Sequence, residues 1–194
     1  MFKLTPRLLT ALTTEQPFEW EDFTACYDMS TYSDEGLKGG DDRSKARAAW
    51  RVFSAQETLT EGFIHQYRDQ VSWWDICAHQ TLSEQFIDQH HNQVDWGNIC
   101  ANQTLSEAFM DQWAHKLDFP SWSGISRHQK LSPQFMDRYQ DELWWNHIST
   151  YQQLSEEFIL SHLDLLDLQI IKERYPQVYQ RYGLEVYQAL AEVN

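Results

Sequence analysis

A six-residue phrase returns five times along this 194-residue chain. Its copies run from Leu59 to Ile64, Leu82 to Ile87, Leu105 to Met110, Leu131 to Met136 and Leu154 to Ile159. Each reads Leu, then Ser or Thr, then Glu or Pro, a variable residue, Phe, and Ile or Met. The leading leucines are separated by 23, 23, 26 and 23 residues. A fixed period in the range of roughly 20–50 residues marks an array of small supersecondary units, each unable to bury its apolar face alone. The constraint falls on architecture first: an array, rather than a single compact core.

Each phrase is followed by a second half. Val71-Ser72-Trp73-Trp74-Asp75-Ile76 with Gln80 returns as Val94-Asp95-Trp96-Gly97-Asn98-Ile99 with Gln103, and as Leu143-Trp144-Trp145-Asn146-His147-Ile148 with Gln152. The copy from Leu105 reads Leu117-Asp118-Phe119, then extra residues around Pro120 before Ile125 and Gln129, which accounts for the step of 26. The last copy, Leu166-Asp167-Leu168 with Ile171, lacks the tryptophan.

The unit predicts two short helices. Leu82, Phe86 and His90 fall on one stripe of a helix, with Ile87 beside it. Ser83 suits an N-cap, where its hydroxyl accepts an orphan N–H of the first turn. Glu84 then sits at the positive end of the helix dipole. Pro133 stands directly after Ser132, where proline costs no hydrogen bond, so a helix starts there. For the second helix the expected caps are Ser72, Asp95 and Asp118, with Ser72 to Asp75 resembling a capping box. Helices this short are marginal alone and need neighbours.

The reading is all-α: an α-solenoid of about six helix-pair repeats of ~23 residues with a C-terminal capping helix. Residues 1–27 are a degenerate first repeat, in which Leu4-Thr5-Pro6 matches Leu131-Ser132-Pro133. Residues 28–57 form a glycine-rich loop and a basic amphipathic connector helix, with Ala46, Ala49, Trp50 and Phe53 on one face. Residues 58–172 carry the five clear repeats, and 173–194 the cap: Tyr175-Pro176 breaks the last second helix, Val178, Tyr179 and Tyr182 form one apolar stripe that Gly183 ends, and Leu184, Tyr187 and Ala191 belong to a final helix covering the open end.

The phrase Leu-Ser-Glu-x-Phe-Ile, followed by Asp-Trp, Ile and Gln, resembles short helical repeats of bacteriophage and large DNA-virus proteins. The resemblance covers residues 58 to 172 well and 4 to 27 weakly. It implies a viral or prophage origin and a helical array, and it brings no catalytic residues with it.

Charge narrows the partners. The chain has a net charge of −14, and no Lys or Arg occurs between Asp69 and His115. Phosphate contact needs basic patches, so direct nucleic-acid binding is not expected. No apolar run reaches the ~18 residues of a membrane span, and no signal-peptide core opens the sequence, so the expectation is a soluble, intracellular (cytoplasmic) protein. Cys77 and Cys100 share one repeat position and read as small core residues. The histidines His65, His79, His90, His91 and His115 lack the spacing of a zinc site, and no cofactor is expected. No phosphate loop or nucleophile elbow is present.

Stacking fixes Leu, Phe, Ile and Trp, so recognition is expected at the positions that vary. Six residues after each leading leucine stand His65, Asp88, Asp111, Asp137 and Leu160, and the next row holds Gln66, Gln89, Gln112, Arg138 and Ser161. Both rows point away from the Leu/Phe stripe. With Asp95 and with Trp50 of the connector, these are the candidate partner-binding residues. The leading expectation is a non-catalytic protein-binding repeat protein, plausible as a phage factor that inhibits or redirects a host protein. A second is an acidic DNA mimic that blocks a restriction- or CRISPR-type enzyme. A third is a small enzyme whose site lies at the pattern breaks, near Pro120 to Gly124 or in 28–57, with Asp41, Asp42 and His128 as its residues to test.

Overall fold

The computed structural model describes residues 47, 50, 51, 53–55 and 58–184. The expected first repeat, the glycine-rich loop and the chain beyond Leu184 lie outside the described residues. The chain divides into two units, residues 1–95 and 96–194. Among the described residues the regular structure is helical throughout.

In the first unit, residues 50, 51 and 53–55 are helical. They are followed by α1 (Glu61–Gln66), α2 (Trp73–His79) and α3 (Glu84–Gln89). The second unit holds α4 (Trp96–Asn102), α5 (Glu107–Trp113), a 3-10 turn (Ala114–Lys116) and α6 (Phe119–His128). It continues with α7 (Pro133–Arg138), α8 (Trp145–Tyr151), α9 (Glu156–Ser161), α10 (Leu168–Arg174) and α11 (Pro176–Arg181).

The first helix of each repeat starts where its hydroxyl residue stands. Thr60, Ser83, Ser106, Ser132 and Ser155 accept the N–H groups of Phe63, Phe86, Phe109, Phe135 and Phe158, each at 3.1 Å. Those bonds satisfy donors that the helix itself leaves open. Pro133 occupies the first helical position, as its missing N–H allows. The Phe and Ile or Met of the phrase are buried in all five copies.

The second helices differ from expectation at one cap. Asp118 accepts from the Ser121 N–H at 3.2 Å and Asp167 from Ile170 at 3.2 Å. Ser72, however, makes no side-chain cap bond, and Asp75 is buried, 3.6 Å from Arg51, rather than reaching back to close a capping box. The Ser72 N–H goes instead to the Ser54 hydroxyl at 3.1 Å.

That bond is one of a series. The Asp95 N–H reaches Cys77 Sγ at 3.3 Å, Trp144 N–H reaches Ser126 Oγ at 2.9 Å, and Asp167 N–H reaches Ser149 Oγ at 2.9 Å. The acceptor is always a small buried side chain from the preceding second helix, and sulfur and oxygen serve alike. Cys77 is thus a hydrogen-bond acceptor as well as a core residue, and burial pushes its thiol up to about 12. A thiol held protonated is a poor nucleophile. Cys77→Ser is expected to be nearly neutral in a thermal melt. Cys77→Ala, which orphans the half-buried Asp95 N–H, should cost about 1 kcal/mol or more. Equal melting of the two variants would show that the sulfur carries no hydrogen bond.

The glutamine that ends each second half does the same work on a larger scale. Gln129 Oε1 accepts the Leu105 N–H at 3.0 Å, and its Nε2 donates to the carbonyls of Cys100 at 2.8 Å and Gln103 at 2.7 Å. Gln152 repeats this with the Leu131 N–H and the carbonyls of Ser126 and Gln129. Gln80 takes the Leu59 N–H and donates to the Ser54 carbonyl. One buried amide therefore closes its own repeat and caps carbonyls left open at the end of the previous second helix. Where the last repeat lacks the glutamine, two residues share its task. Tyr175 Oη accepts the Leu154 N–H at 2.9 Å, and Arg174 donates to the carbonyls of Ser149 and Gln152.

Aromatic rings fill the rest of the junction. Trp73 lies 5.0 Å from His90, Trp96 5.3 Å from Trp113, and Trp145 5.5 Å from His162, each pairing a second helix with the following first helix. Trp50 belongs to this series. It is buried and packs 5.7 Å from Tyr67, while Phe53 meets Phe63. Residues 50, 51 and 53–55 thus pack as a second helix does, and Trp50 is a buried core residue, not an exposed partner contact.

The three-residue insertion lengthens α6 at its N-terminus. Three residues add nearly one helical turn, so the buried face is kept in phase. Trp122, not Phe119, takes the tryptophan place: it is 4% exposed and lies 4.9 Å from Tyr139. Phe119 is left 68% exposed on the added turn. Gly124 on the same helix lets α6 approach α4, since a Cβ there would stand 3.1 Å from Ala101 N and 3.2 Å from the Cys100 carbonyl carbon.

At the C-terminal end, Pro176 opens α11, Gly183 takes a φ of 60°, and Tyr179 packs with Leu168 and Leu184. Val178 and Tyr179 are buried, but Tyr182 departs from the expected stripe: it is exposed and its hydroxyl donates to Glu156 at 2.6 Å. Arg181 pairs with the same carboxylate at 2.9 Å. The Tyr182 hydroxyl, then the Arg181 charge, hold Glu156 below its ordinary value. A depressed carboxylate stabilises the fold above its unfolded pKa and loses that contribution as pH falls through its folded one. Amide exchange in α11 is therefore expected to speed up as pH drops below about 4, after correction for intrinsic rates. The Glu156→Gln variant should already show the loosened exchange at neutral pH. A variant exchanging like the parent there would remove Glu156 from the account.

Candidate functional site

The variable row was expected to be free for a partner. Its members do face outward: His65, Asp88 and Asp137 are exposed and Asp111 half-buried. Three of them nevertheless engage the next repeat. His65 Nδ1 shares a hydrogen bond with His90 Nε2 at 3.1 Å, and His90 Nδ1 in turn meets Gln93. Asp111 pairs with Arg138, and Asp137 with His162 at 2.9 Å. The Asp111 carboxylate also holds Arg138 above its ordinary value. Burial, then the same carboxylate, push the Tyr139 phenol up. The row is a seam as well as a surface. Asp95 is half-buried and its N–H is committed to Cys77.

The phrase glutamate is similarly occupied. Glu61 accepts the Ser83 N–H at 2.6 Å, and Glu107 accepts both the N–H and hydroxyl of Ser132, at 2.5 and 2.9 Å. A shallow groove of about 300 Å³ lies over the first of these junctions, bordered by Gly62, His65, Ser83 and Gln89.

A larger cavity sits at the pattern break. It measures about 570 Å³ and is lined by Leu117, Asp118, Phe119, Trp122, Asp141, Glu142, Leu143 and Trp144. Trp122 and Leu143 are buried, while Phe119, Asp118, Asp141 and Glu142 are exposed. Phe119 meets Trp144 edge-on at 4.3 Å, and Trp144 stacks on His147 at 5.3 Å. Asp118 Oδ1 is held by the Ser121 N–H and, at 2.7 Å, its hydroxyl. No Lys or Arg lines the cavity. Lys116 turns to the Trp113 ring, 6.0 Å from its centre.

Of the residues considered for chemistry, His128 lies at the end of α6 and is exposed. Desolvation, then the charges of Arg127 and His147, push it down. Asp41 and Asp42 lie outside the described residues. Among the described residues no three His, Cys, Asp or Glu side chains converge as a metal site, and no helix is long and apolar enough to cross a membrane. The aromatic cavity was not foreseen. Its signal was the Trp-x-x-Ile spacing, which places Trp122 beside Ile125 and leaves Phe119 and Trp144 as departures from the repeat. No family model matches the chain, and no curated protein and no solved structure resembles it beyond chance.

Proposed function

We propose that this protein is a non-catalytic, protein-binding helical repeat protein, an α-solenoid whose last helices cap its end. The observation that carries the reading is how the signature residues are used. The phrase hydroxyls, Glu61 and Glu107, the terminal glutamines and the small Cys or Ser acceptors bond to backbone within or between repeats. What differs between copies, and what is spent on no junction, is surface. Repeat proteins recognise partners through such extended surfaces. The resemblance to viral repeats adds that the partner belongs to a host cell. The DNA-mimic reading is less favoured, because Asp111 and Asp137 already face Arg138 and His162.

Affinity capture with tagged protein from the encoding organism's extract, or from its host, tests the reading. A stoichiometric partner released by salt is the expected result. No stoichiometric partner, together with turnover in a broad hydrolase screen, would sink it in favour of an enzyme at the repeat break.

A further inference from the structure

We propose that the cavity walled on one side by the touching rings of Phe119 and Trp144 receives an arginine-bearing, basic segment of a partner protein, a step that rests on the protein-binding reading above. Two departures from the repeat meet there. The residue before the second-helix tryptophan or leucine is Ser72, Asp95 or Asp167 in other copies, but in the copy from Leu131 it is Trp144. Trp144 makes no side-chain cap bond, so this copy forgoes the capping that Asp167 gives at the same place. The preceding copy adds a turn whose first residue, Phe119, is 68% exposed. The two rings touch each other across the junction, but its buried packing is supplied by Trp122 on Tyr139. Both rings converge on one concave space of about 570 Å³, within the range of ligand pockets.

Charge selects the occupant. The rim carries Asp118, Asp141 and Glu142, and no cation lines the space. An anionic ligand would be repelled, and a purely apolar one would desolvate carboxylates without pairing them. A guanidinium satisfies both surfaces at once: its plane stacks on an aromatic ring, and its fork bonds carboxylates in pairs. A lysine ammonium, a strongly hydrated point charge, would gain less from the rings. The net charge of −14 would draw a basic segment in from a distance.

The test is calorimetric titration of the intact protein with a capped peptide of adjacent arginines flanked by glycines. The same peptide with citrulline, or with lysine, serves as comparison. Binding is expected for arginine, weaker binding for lysine and none for citrulline. The double variant Phe119→Ala/Trp144→Ser should lose affinity on the order of tenfold or more. Asp141→Asn/Glu142→Gln, confined to exposed side chains, should lose a similar amount, and Asp69→Asn, an exposed carboxylate in the other unit, almost none. Circular-dichroism melts establish that each variant is folded; if the aromatic pair fails to fold, the exposed carboxylate pair decides alone. Equal binding of arginine and lysine peptides that survives both groove variants would reveal diffuse charge attraction and overturn the proposal. So would no arginine binding at millimolar peptide. Groove variants that still capture the stoichiometric partner at full yield would overturn the groove while leaving the protein-binding reading intact.

Discussion

Gln129→Leu is expected to destabilise the protein by on the order of 3–6 kcal/mol, although it exchanges one buried side chain for another of similar size. The replaced amide holds the Leu105 N–H and the carbonyls of Cys100 and Gln103. Leucine keeps the volume and removes all of those partners. Each buried backbone group left unsatisfied costs about 1–3 kcal/mol. Domains are stable by only ~5–15 kcal/mol, so the variant should melt far below the parent or fail to fold. Gln153→Leu, one residue beyond the equivalent Gln152 and exposed, should change little. Chemical denaturation of the two variants side by side measures this. Similar midpoints would mean that the glutamine contributes no more than its volume.

Trp122→Ala should cost about 3–5 kcal/mol, while Phe119→Ala, three residues away on the same helix, should stay within about 0.5 kcal/mol. The first removes a ring that is 4% exposed and packed on Tyr139; the second trims one that is 68% exposed. The opposite ranking would place Phe119 in the tryptophan position and shift the added turn to the other end of α6. A stable Phe119→Ala protein is also what the arginine-binding test requires.

These two experiments mark where the sequence was legible and where it was not. The period, the five hydroxyl caps and the helix start at Pro133 depend on residues within a turn of one another, and local chemistry suffices to read them. The role of the glutamines was not readable that way. Their partners lie 21 to 29 residues distant, so a bond from Gln129 to Cys100 exists only once two repeats are placed side by side. The recurrence of Gln80, Gln103, Gln129 and Gln152 was a signal, but of importance rather than of chemistry. The shared repeat position of Cys77 and Cys100 was similarly visible as small core size, while the acceptor role of Cys77 was not. Helical geometry placed His65, Asp111 and Asp137 on the outer face, and they are there. It could not say that the next repeat reaches the same face with His90, Arg138 and His162. The groove at Phe119 was hidden by the insertion itself, because aligning Phe119 with the tryptophans conceals that both it and Trp144 are extra.

The repeated polar residues bond within and between repeats, which on the proposed protein-binding reading leaves recognition to the places where the repeat is broken. Hydrogen exchange of side-chain amides, followed by NMR, tests that bonding most directly. The Nε2 protons of Gln80, Gln129 and Gln152 are buried and bonded to carbonyls. They should exchange as slowly as the backbone amides of Phe86 and Phe135, and far more slowly than those of the exposed Gln89, Gln134 and Gln153. Exchange of Gln129 and Gln152 at the rate of the exposed glutamines would contradict the account.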